Sequence, residues 1–224
     1  MSIAHWPLAE RPREKMLAHG PNALSDAELL AILLRTGSQG RNAVELGREL
    51  LTRTGSLARL LATPFETLRQ IPGLGQAKSL QFQAALEVAR RMLREGMQSS
   101  CLLDSPARVR DYLRLTLQDM SRERFVCLFL DAAHRLVGTR IMFEGTLTQT
   151  CAYPREIVRA ALDLHAAAII VAHNHPSGIP TPSAADLALT RQLGDALALL
   201  EIRLLDHFIV AGDTVYSMAE GGEL

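Results

Sequence analysis

Two histidines at the end of an apolar segment place the strongest constraint on how this chain can fold. The seven residues 166–172 are all apolar, and a short apolar run of this kind predicts a buried β-strand. His173 and His175 follow at a spacing of two, so their side chains share one face if the strand stays extended that far. Residues 176–182 contain three prolines and a glycine and therefore predict a turn.

A helix start is predicted directly after that turn. Ser183 is typical of an N-cap residue, and Asp186 then occupies the third helical position. The loop can return the Asp186 carboxylate toward both imidazoles, and two histidines with one carboxylate suit Zn²⁺. Three protein ligands with one open position are typical of a catalytic zinc, whose bound water has a pKa lowered to about 7.

Two other interpretations of this segment stay open. The first is a polar strand-to-helix loop with hydrogen-bonded histidines and a capping aspartate. The second is a purely structural zinc site, which requires a fourth protein ligand. No nearby cysteine or suitably spaced further histidine offers itself as that ligand.

The residue pattern of this segment resembles the motif of a known protein family. His-x-His followed after seven residues by Ser-x-x-Asp resembles the JAMM (MPN-type) metalloprotease motif, and His-Asn-His-Pro-Ser-Gly resembles the RadC family in particular. The resemblance covers essentially the whole chain. It implies one zinc per chain, held by His173, His175 and Asp186, and hydrolysis of a peptide or isopeptide bond. In the family, a serine at the position of Ser183 helps stabilise the oxyanion or the water; N-capping is the alternative role, and both can coexist.

The resemblance also implies a glutamate that acts as general base. JAMM enzymes carry it near the start of the domain's first strand, and Glu123 precedes the apolar segment 125–130. Glu123 is therefore the candidate base, with Glu144 at the end of the next strand as the alternative. A surface glutamate paired with Arg122 or Arg124 is the non-catalytic interpretation of Glu123.

The first half of the chain predicts helices. Residues 1–21 contain three prolines and are expected to be irregular. Segment 63–94 resembles a helix-hairpin-helix unit, in which glycines let backbone N–H groups approach a DNA phosphate and a lysine adds charge. Gly73, Gly75 and Lys78 are the candidate DNA contacts. An ordinary glycine turn between two packed helices is the alternative.

Loss of periodicity near residue 100 predicts a domain boundary. Residues 1–100 are expected to form an all-α helical domain. In residues 101–224, strands are interspersed with helices, which predicts an α/β or α+β sandwich and an α+β chain overall. That pattern agrees with the MPN/JAMM-like (cytidine-deaminase-like) fold that the resemblance implies.

Within this domain, Asp206-His207 also matches the RadC pattern, and His207 is either a residue that orients a ligand histidine or a packed strand histidine.

Composition constrains location more than partners. Lys and Arg equal Asp and Glu at 24 each, so the net charge indicates no particular partner. Three cysteines without a Cys-x-x-Cys spacing are typical of a reducing compartment without disulfides. The N-terminus has no signal-peptide pattern and no apolar run approaches about 20 residues, so we expect a cytoplasmic protein without a membrane anchor.

The sequence therefore favours a zinc-dependent metallopeptidase that acts on a peptide or protein substrate. The alternative is a DNA-associated scaffold or repair factor, in which the helix-hairpin-helix unit binds DNA and the MPN domain is a binding platform. The complete ligand set favours the enzyme, because a platform would not need it.

Overall fold

The structure is a computed structural model that describes residues 2–118, 122–145 and 153–224. The chain separates into two compact units, Met1–Val88 and Ala89–Leu224. The division falls within a long helix. The predicted boundary near residue 100 lies at the end of that same helix.

The first unit is all-α, as the sequence predicts. Its six helices are α1 (Pro12–His19), α2 (Asp26–Leu34), α3 (Ala43–Thr54), α4 (Leu57–Ala62), α5 (Phe65–Leu68) and α6 (Gln76–Ser99), the last of which continues past the division. Short 3-10 turns lie at Ile3–His5, Leu8–Glu10 and Pro21–Ala23. Within the described ranges, no helix of either unit is both long and apolar enough to cross a membrane.

Helix α1 corrects the expectation that residues 1–21 are irregular. Pro12 is the first residue of the helix, where its fixed φ fits and its missing N–H would have no partner in any case. A proline at this position therefore begins a helix, whereas the prediction treated it as a breaker. Helix α2 begins at a reciprocal capping box formed by Ser25 and Glu28.

Helices α2 and α3 approach each other closely at a glycine. A Cβ added to Gly47 would lie 2.8 Å from the carbonyl oxygen of Ala27 and 3.3 Å from the Cβ of Leu30. The missing side chain thus lets the two backbones come together over the leucine-rich core of this unit. The fully buried members of that core are Leu30, Leu34, Leu46, Leu50, Leu60, Leu68, Leu74 and Phe82.

The second unit is built on a mixed five-stranded sheet. The strands are β1 (Glu123–Leu130), β2 (Leu136–Gly145), β3 (Ala168–Asn174), β4 (Arg203–Ala211) and β5 (Thr214–Ser217), in the order β2-β1-β3-β4-β5. Among the strands in the described part of the chain, only the β3–β4 pair is parallel. The helices are α7 (Pro106–Leu117), α8 (Pro154–Asp163) and α9 (Ala184–Ala198), with a 3-10 turn at Leu102–Asp104.

Both faces of this sheet are covered, which gives three layers. Side chains alternate along a strand, so β1 sends Val126 and Leu128 toward α7 but Phe125 and Phe129 toward α8 and α9. A strand buried on both faces reads as a continuous apolar run, and this explains why β1 and β3 lack alternation in the sequence. The predicted α+β chain with a sandwich-like second half is confirmed.

The topology of the sheet favours a binding site at the carboxyl end of β3. Strand β3 and its parallel neighbour β4 are joined by a loop and helix α9. Ligands in open sheets bind outside the carboxyl ends of parallel strands, where the loops leave the sheet. The two histidines of the sequence motif lie at this end of β3, on the face that carries α8 and α9.

The close approach at Gly47 can be tested by Gly47→Ala. A Cβ gains helix propensity of about 1 kcal/mol but must displace backbone atoms, which typically costs about 1–3 kcal/mol. We expect a lower midpoint in thermal unfolding followed by circular dichroism. Gly194→Ala in α9 is the control, because a Cβ there would meet open space and should leave stability unchanged or raised. A Gly47→Ala variant as stable as wild type would show that the two helices are not in tight contact.

Candidate metal centre

Three side chains meet at the carboxyl end of β3. The Nε2 atoms of His173 and His175 are 2.8 Å apart. Asp186 Oδ1 lies 3.1 Å from Nε2 of His173, and Oδ2 lies 3.4 Å from Nε2 of His175. The structure thus brings together the three residues named from the sequence, with ligand atoms that all lie within 4.8 Å of one another.

Asp186 is held in place by the start of α9. Ser183 Oγ accepts a hydrogen bond from the Asp186 N–H at 3.2 Å, and Asp186 Oδ2 accepts one from the Ser183 N–H at 2.7 Å. This reciprocal capping box confirms the predicted N-cap. Burial opposes ionisation of Asp186, but its interactions with the His173 and His175 rings outweigh that effect and hold the pKa of this carboxyl well below its usual range.

The orientation of His175 is fixed by a backbone carbonyl. Its Nδ1 lies 2.7 Å from the Ile179 carbonyl oxygen, which can only accept, so Nδ1 carries a hydrogen. In the neutral ring, Nε2 then presents a lone pair toward the cluster. The hydrogen bond with Asp186 raises the pKa of His175 against the effect of burial, and the charge of Glu123 raises it further. The site therefore stabilises positive charge at this point.

His173 is buried and contacts His207, for which the sequence left two roles open. Its Nδ1 lies 2.9 Å from Nε2 of His207, and Nδ1 of His207 lies 2.6 Å from Thr190 Oγ1. Burial lowers the pKa of His207 to about 3, so this ring is neutral near pH 7. Phe125 stacks on the His173 ring at a centroid distance of 6.1 Å and closes the apolar side of the site.

This donor set fits a divalent cation such as zinc. Two imidazole nitrogens and a carboxylate face one another at 2.8–3.4 Å, and their lone pairs repel unless positive charge lies between them. Tetrahedral ligand atoms bound to zinc at about 2.1 Å are roughly 3.4 Å from one another, close to the observed separations. Neutral nitrogen and anionic oxygen are also ligand types that zinc accepts.

The register of β1 determines which glutamate faces the cluster. Glu123 lies two residues before Phe125, so both side chains project from the same face of β1. Glu144 pairs across the ladder with Arg124, and its Oε1 accepts a hydrogen bond from Arg124 Nη2 at 2.8 Å. Glu144 therefore belongs to the other face of the sheet, together with Arg124.

Asn174 is a residue of this site that sequence reasoning missed. It stands between His173 and His175 in the sequence, and its side chain is fully buried. Its Oδ1 accepts a hydrogen bond from the Arg124 N–H at 2.8 Å. Its Nδ2 donates to the Arg122 carbonyl oxygen, also at 2.8 Å. The side-chain amide thus replaces a strand partner for the backbone on both sides of Glu123. The only sequence signal for this was a polar residue where the apolar strand ends.

The candidate DNA contacts have structural partners within the first unit. Lys78 Nζ donates to the carbonyl oxygens of Gly37 at 2.7 Å and Gly73 at 3.2 Å, and burial lowers the pKa of this lysine. Gly73 has a φ of +95°, and a Cβ there would lie 2.7 Å from the Cβ of Ser38. At Gly75 a Cβ would meet open space. These contacts explain Lys78 and Gly73 by folding alone, and DNA binding by the three residues stays a prediction.

Comparisons with known proteins cover both halves of the chain. Residues 103–223 match the family described as RadC-like JAB domain, and residues 3–80 match the family described as UPF0758 N-terminal. A UPF0758 protein of Cupriavidus pinatubonensis is 56% identical over 224 residues, which is 100% of this chain and 98% of that protein. UPF0758 proteins of Thiobacillus denitrificans and Chromobacterium violaceum are each 54% identical over the full length of both chains.

The metal centre predicts the behaviour of His175→Ala. Removing one of three ligands should reduce bound zinc from about one equivalent per chain to near zero, while the fold is retained. Elemental analysis after dialysis against a defined zinc buffer measures this, and circular dichroism checks the fold. His19→Ala, at an exposed position of α1, is the matched control and should keep its zinc. A His175→Ala protein that still binds a full equivalent would remove His175 from the ligand set.

Proposed function

The chain belongs to the RadC-like JAB domain family, and on that basis we propose that it is a zinc-dependent metallopeptidase that hydrolyses a peptide or isopeptide bond in a protein substrate. The observation that carries this proposal is the convergence of His173, His175 and Asp186 at the carboxyl end of β3. A glutamate on the same face of the sheet supplies the second requirement for hydrolysis, a proton acceptor.

Three side chains would hold the metal. His173 Nε2, His175 Nε2 and the Asp186 carboxylate would bind zinc, and their net charge of −1 would leave the site positive overall. Zinc bound there would polarise the scissile carbonyl and supply a water whose pKa is near 7. The buried position of His173 and the capping box of Asp186 keep these donors in place without rearrangement.

Glu123 would act as the general base. It would accept a proton from the attacking water and pass it to the leaving nitrogen, so that the amine departs in neutral form. Its position on the Phe125 face of β1 and its electrostatic effect on His175 support this role. Asn174 accepts a hydrogen bond from the Arg124 N–H and donates one to the Arg122 carbonyl, and these two bonds would keep the Glu123 carboxylate aimed at the cluster.

Glu144 is less suited to this role. Its carboxylate is paired with the Arg124 guanidinium, which occupies the oxygen that would take a proton. It also lies on the opposite face from Phe125. The ion pair is partly exposed, so breaking it should cost at most about 1 kcal/mol.

Ser183 would combine two roles. Its Oγ accepts the Asp186 N–H through a lone pair, whereas donation to a developing oxyanion would use the hydroxyl hydrogen. Capping and oxyanion stabilisation use different parts of the same hydroxyl and are therefore compatible. Removing one such donor typically costs about 10²–10³ in rate.

Glu123→Gln tests the proposal directly. The amide keeps the size of the side chain but cannot take a proton, so the variant should keep its zinc and lose about 10²–10⁴ in rate. Zinc-loaded wild type is incubated with a peptide library made from the proteins of a bacterial lysate, and new amino termini are identified by mass spectrometry. Glu123→Gln prepared in parallel identifies cleavage by contaminating proteases.

Glu144→Gln is the matched control and should cleave the same bonds at the wild-type rate. An inactive Glu144→Gln beside an active Glu123→Gln would assign the base to Glu144. Zinc-loaded wild type that yields no more new termini than the same protein freed of zinc would contradict peptide hydrolysis. The library would then be replaced by isopeptide-linked substrates before the activity is abandoned.

A further inference from the structure

We propose that Thr190 is a positioning residue that fixes the ring tautomer of the metal ligand His173, acting through His207. This inference rests on the proposed zinc site. It concerns a residue that touches neither metal nor substrate and that lies one helical turn after Asp186 on α9. The tautomer is determined by which atoms can donate a hydrogen and which can only accept one.

The order of donors begins with the Thr190 hydroxyl, which bonds a backbone carbonyl. Thr190 Oγ1 lies 2.6 Å from the Asp186 carbonyl oxygen, which has no hydrogen to give. The single hydroxyl hydrogen of Thr190 is therefore donated there. The same Oγ1 lies 2.6 Å from Nδ1 of His207, and in that bond the oxygen must accept. Nδ1 of His207 consequently carries a hydrogen.

The order continues through the two rings. A neutral imidazole has one N–H, so Nε2 of His207 is an acceptor once Nδ1 is protonated. Nε2 of His207 lies 2.9 Å from Nδ1 of His173, which must then donate. With its hydrogen on Nδ1, neutral His173 presents the lone pair of Nε2 to Asp186 and His175. This is the tautomer that a metal ligand at Nε2 requires.

Burial makes this order strict. Thr190, His207 and His173 are exposed by 2%, 0% and 1%, so water is not at hand to replace a lost partner. Reversing one ring would leave a buried donor or acceptor unpaired, at a cost of about 1–3 kcal/mol. Because Asp186 and Thr190 lie on successive turns of α9, this one helix supplies the ligand Asp186 and also sets the ring orientation of the ligand His173.

Thr190 has a second, simpler explanation. Threonine in a helix often donates to the carbonyl four residues earlier, and that bond alone needs no histidine. The two explanations differ in what the loss of the hydroxyl changes. A local helix bond would leave the tautomer of His207 and the zinc affinity unaltered, whereas the proposed order of donors changes both.

The test compares three variants by their zinc affinity. Thr190→Val keeps the shape and removes the hydroxyl, and should bind zinc about 10–100-fold more weakly, the usual effect of losing such a supporting bond. Thr190→Ser keeps the hydroxyl and should stay near wild type. Thr139→Val is the matched control, because the buried Thr139 hydroxyl has no hydrogen-bond partner in the part of the chain that the structure describes. Dissociation constants are measured by competition with a chromophoric zinc chelator.

A second readout needs neither zinc nor activity. Long-range ¹H–¹⁵N NMR spectra of the metal-free protein should show His207 protonated at Nδ1 and unprotonated at Nε2. In Thr190→Val this single tautomer should give way to a mixture. His207 protonated at Nε2 in wild type would overturn the proposal even if the valine variant does not fold. Wild-type zinc affinity in a folded Thr190→Val protein would overturn it as well.

These outcomes are separable from failure of the proposed function. If wild type binds zinc but hydrolyses nothing, the affinity comparison still decides the role of Thr190. If wild type binds no zinc, the metallopeptidase proposal fails. The His207 tautomer then still shows whether the order of donors exists.

Discussion

A buried imidazole must be hydrogen-bonded at both nitrogens or carry an energetic penalty, and this requirement shapes the second unit around His173. The ring lies at the end of a central strand with 1% of its surface exposed. An unpaired buried nitrogen would cost about 1–3 kcal/mol. Nδ1 is satisfied by His207 on the parallel neighbour β4, which is satisfied in turn by Thr190 on α9. Only Nε2 is left facing the cluster, so burial of one nitrogen directs the other toward a ligand.

Asp186 likewise uses several of its groups at once. Its backbone carbonyl accepts from Thr190, its backbone N–H donates to Ser183, and its carboxylate faces both histidines. A helix N-terminus also favours negative charge, which agrees with the lowered pKa of this carboxyl. The first turn of α9 therefore fixes the acidic ligand through its own folding, and the strand-to-helix loop needs to deliver only one short segment.

Sequence alone could predict the parts of the site whose geometry is local. His173 and His175 share a face because of a spacing of two, and Ser183 and Asp186 form a capping box because of a spacing of three. Contacts between distant segments could not be predicted. Thr190 reaches His207 across 17 positions, and Asn174 reaches Arg124 across 50.

Local sequence patterns also could not predict the register of β1 or the hydrogen-bond partners of Lys78. The face that Glu123 shares depends on where β1 begins, since a slip of one residue reverses it. Lys78 was named for a glycine-rich turn typical of phosphate contacts, but its ammonium group bonds Gly37, which lies 41 positions away. The first half of the chain contains no comparably specific motif; its helices could be predicted, and DNA binding there stays a prediction.

The central claim is that His173, His175 and Asp186 together hold one zinc ion. Anomalous diffraction from crystals of the zinc-loaded protein, measured on both sides of the zinc absorption edge, tests it most directly. The account predicts a single strong anomalous peak between the two Nε2 atoms and the Asp186 carboxylate. A peak at another position, or no peak at this cluster in crystals grown with zinc, would contradict it.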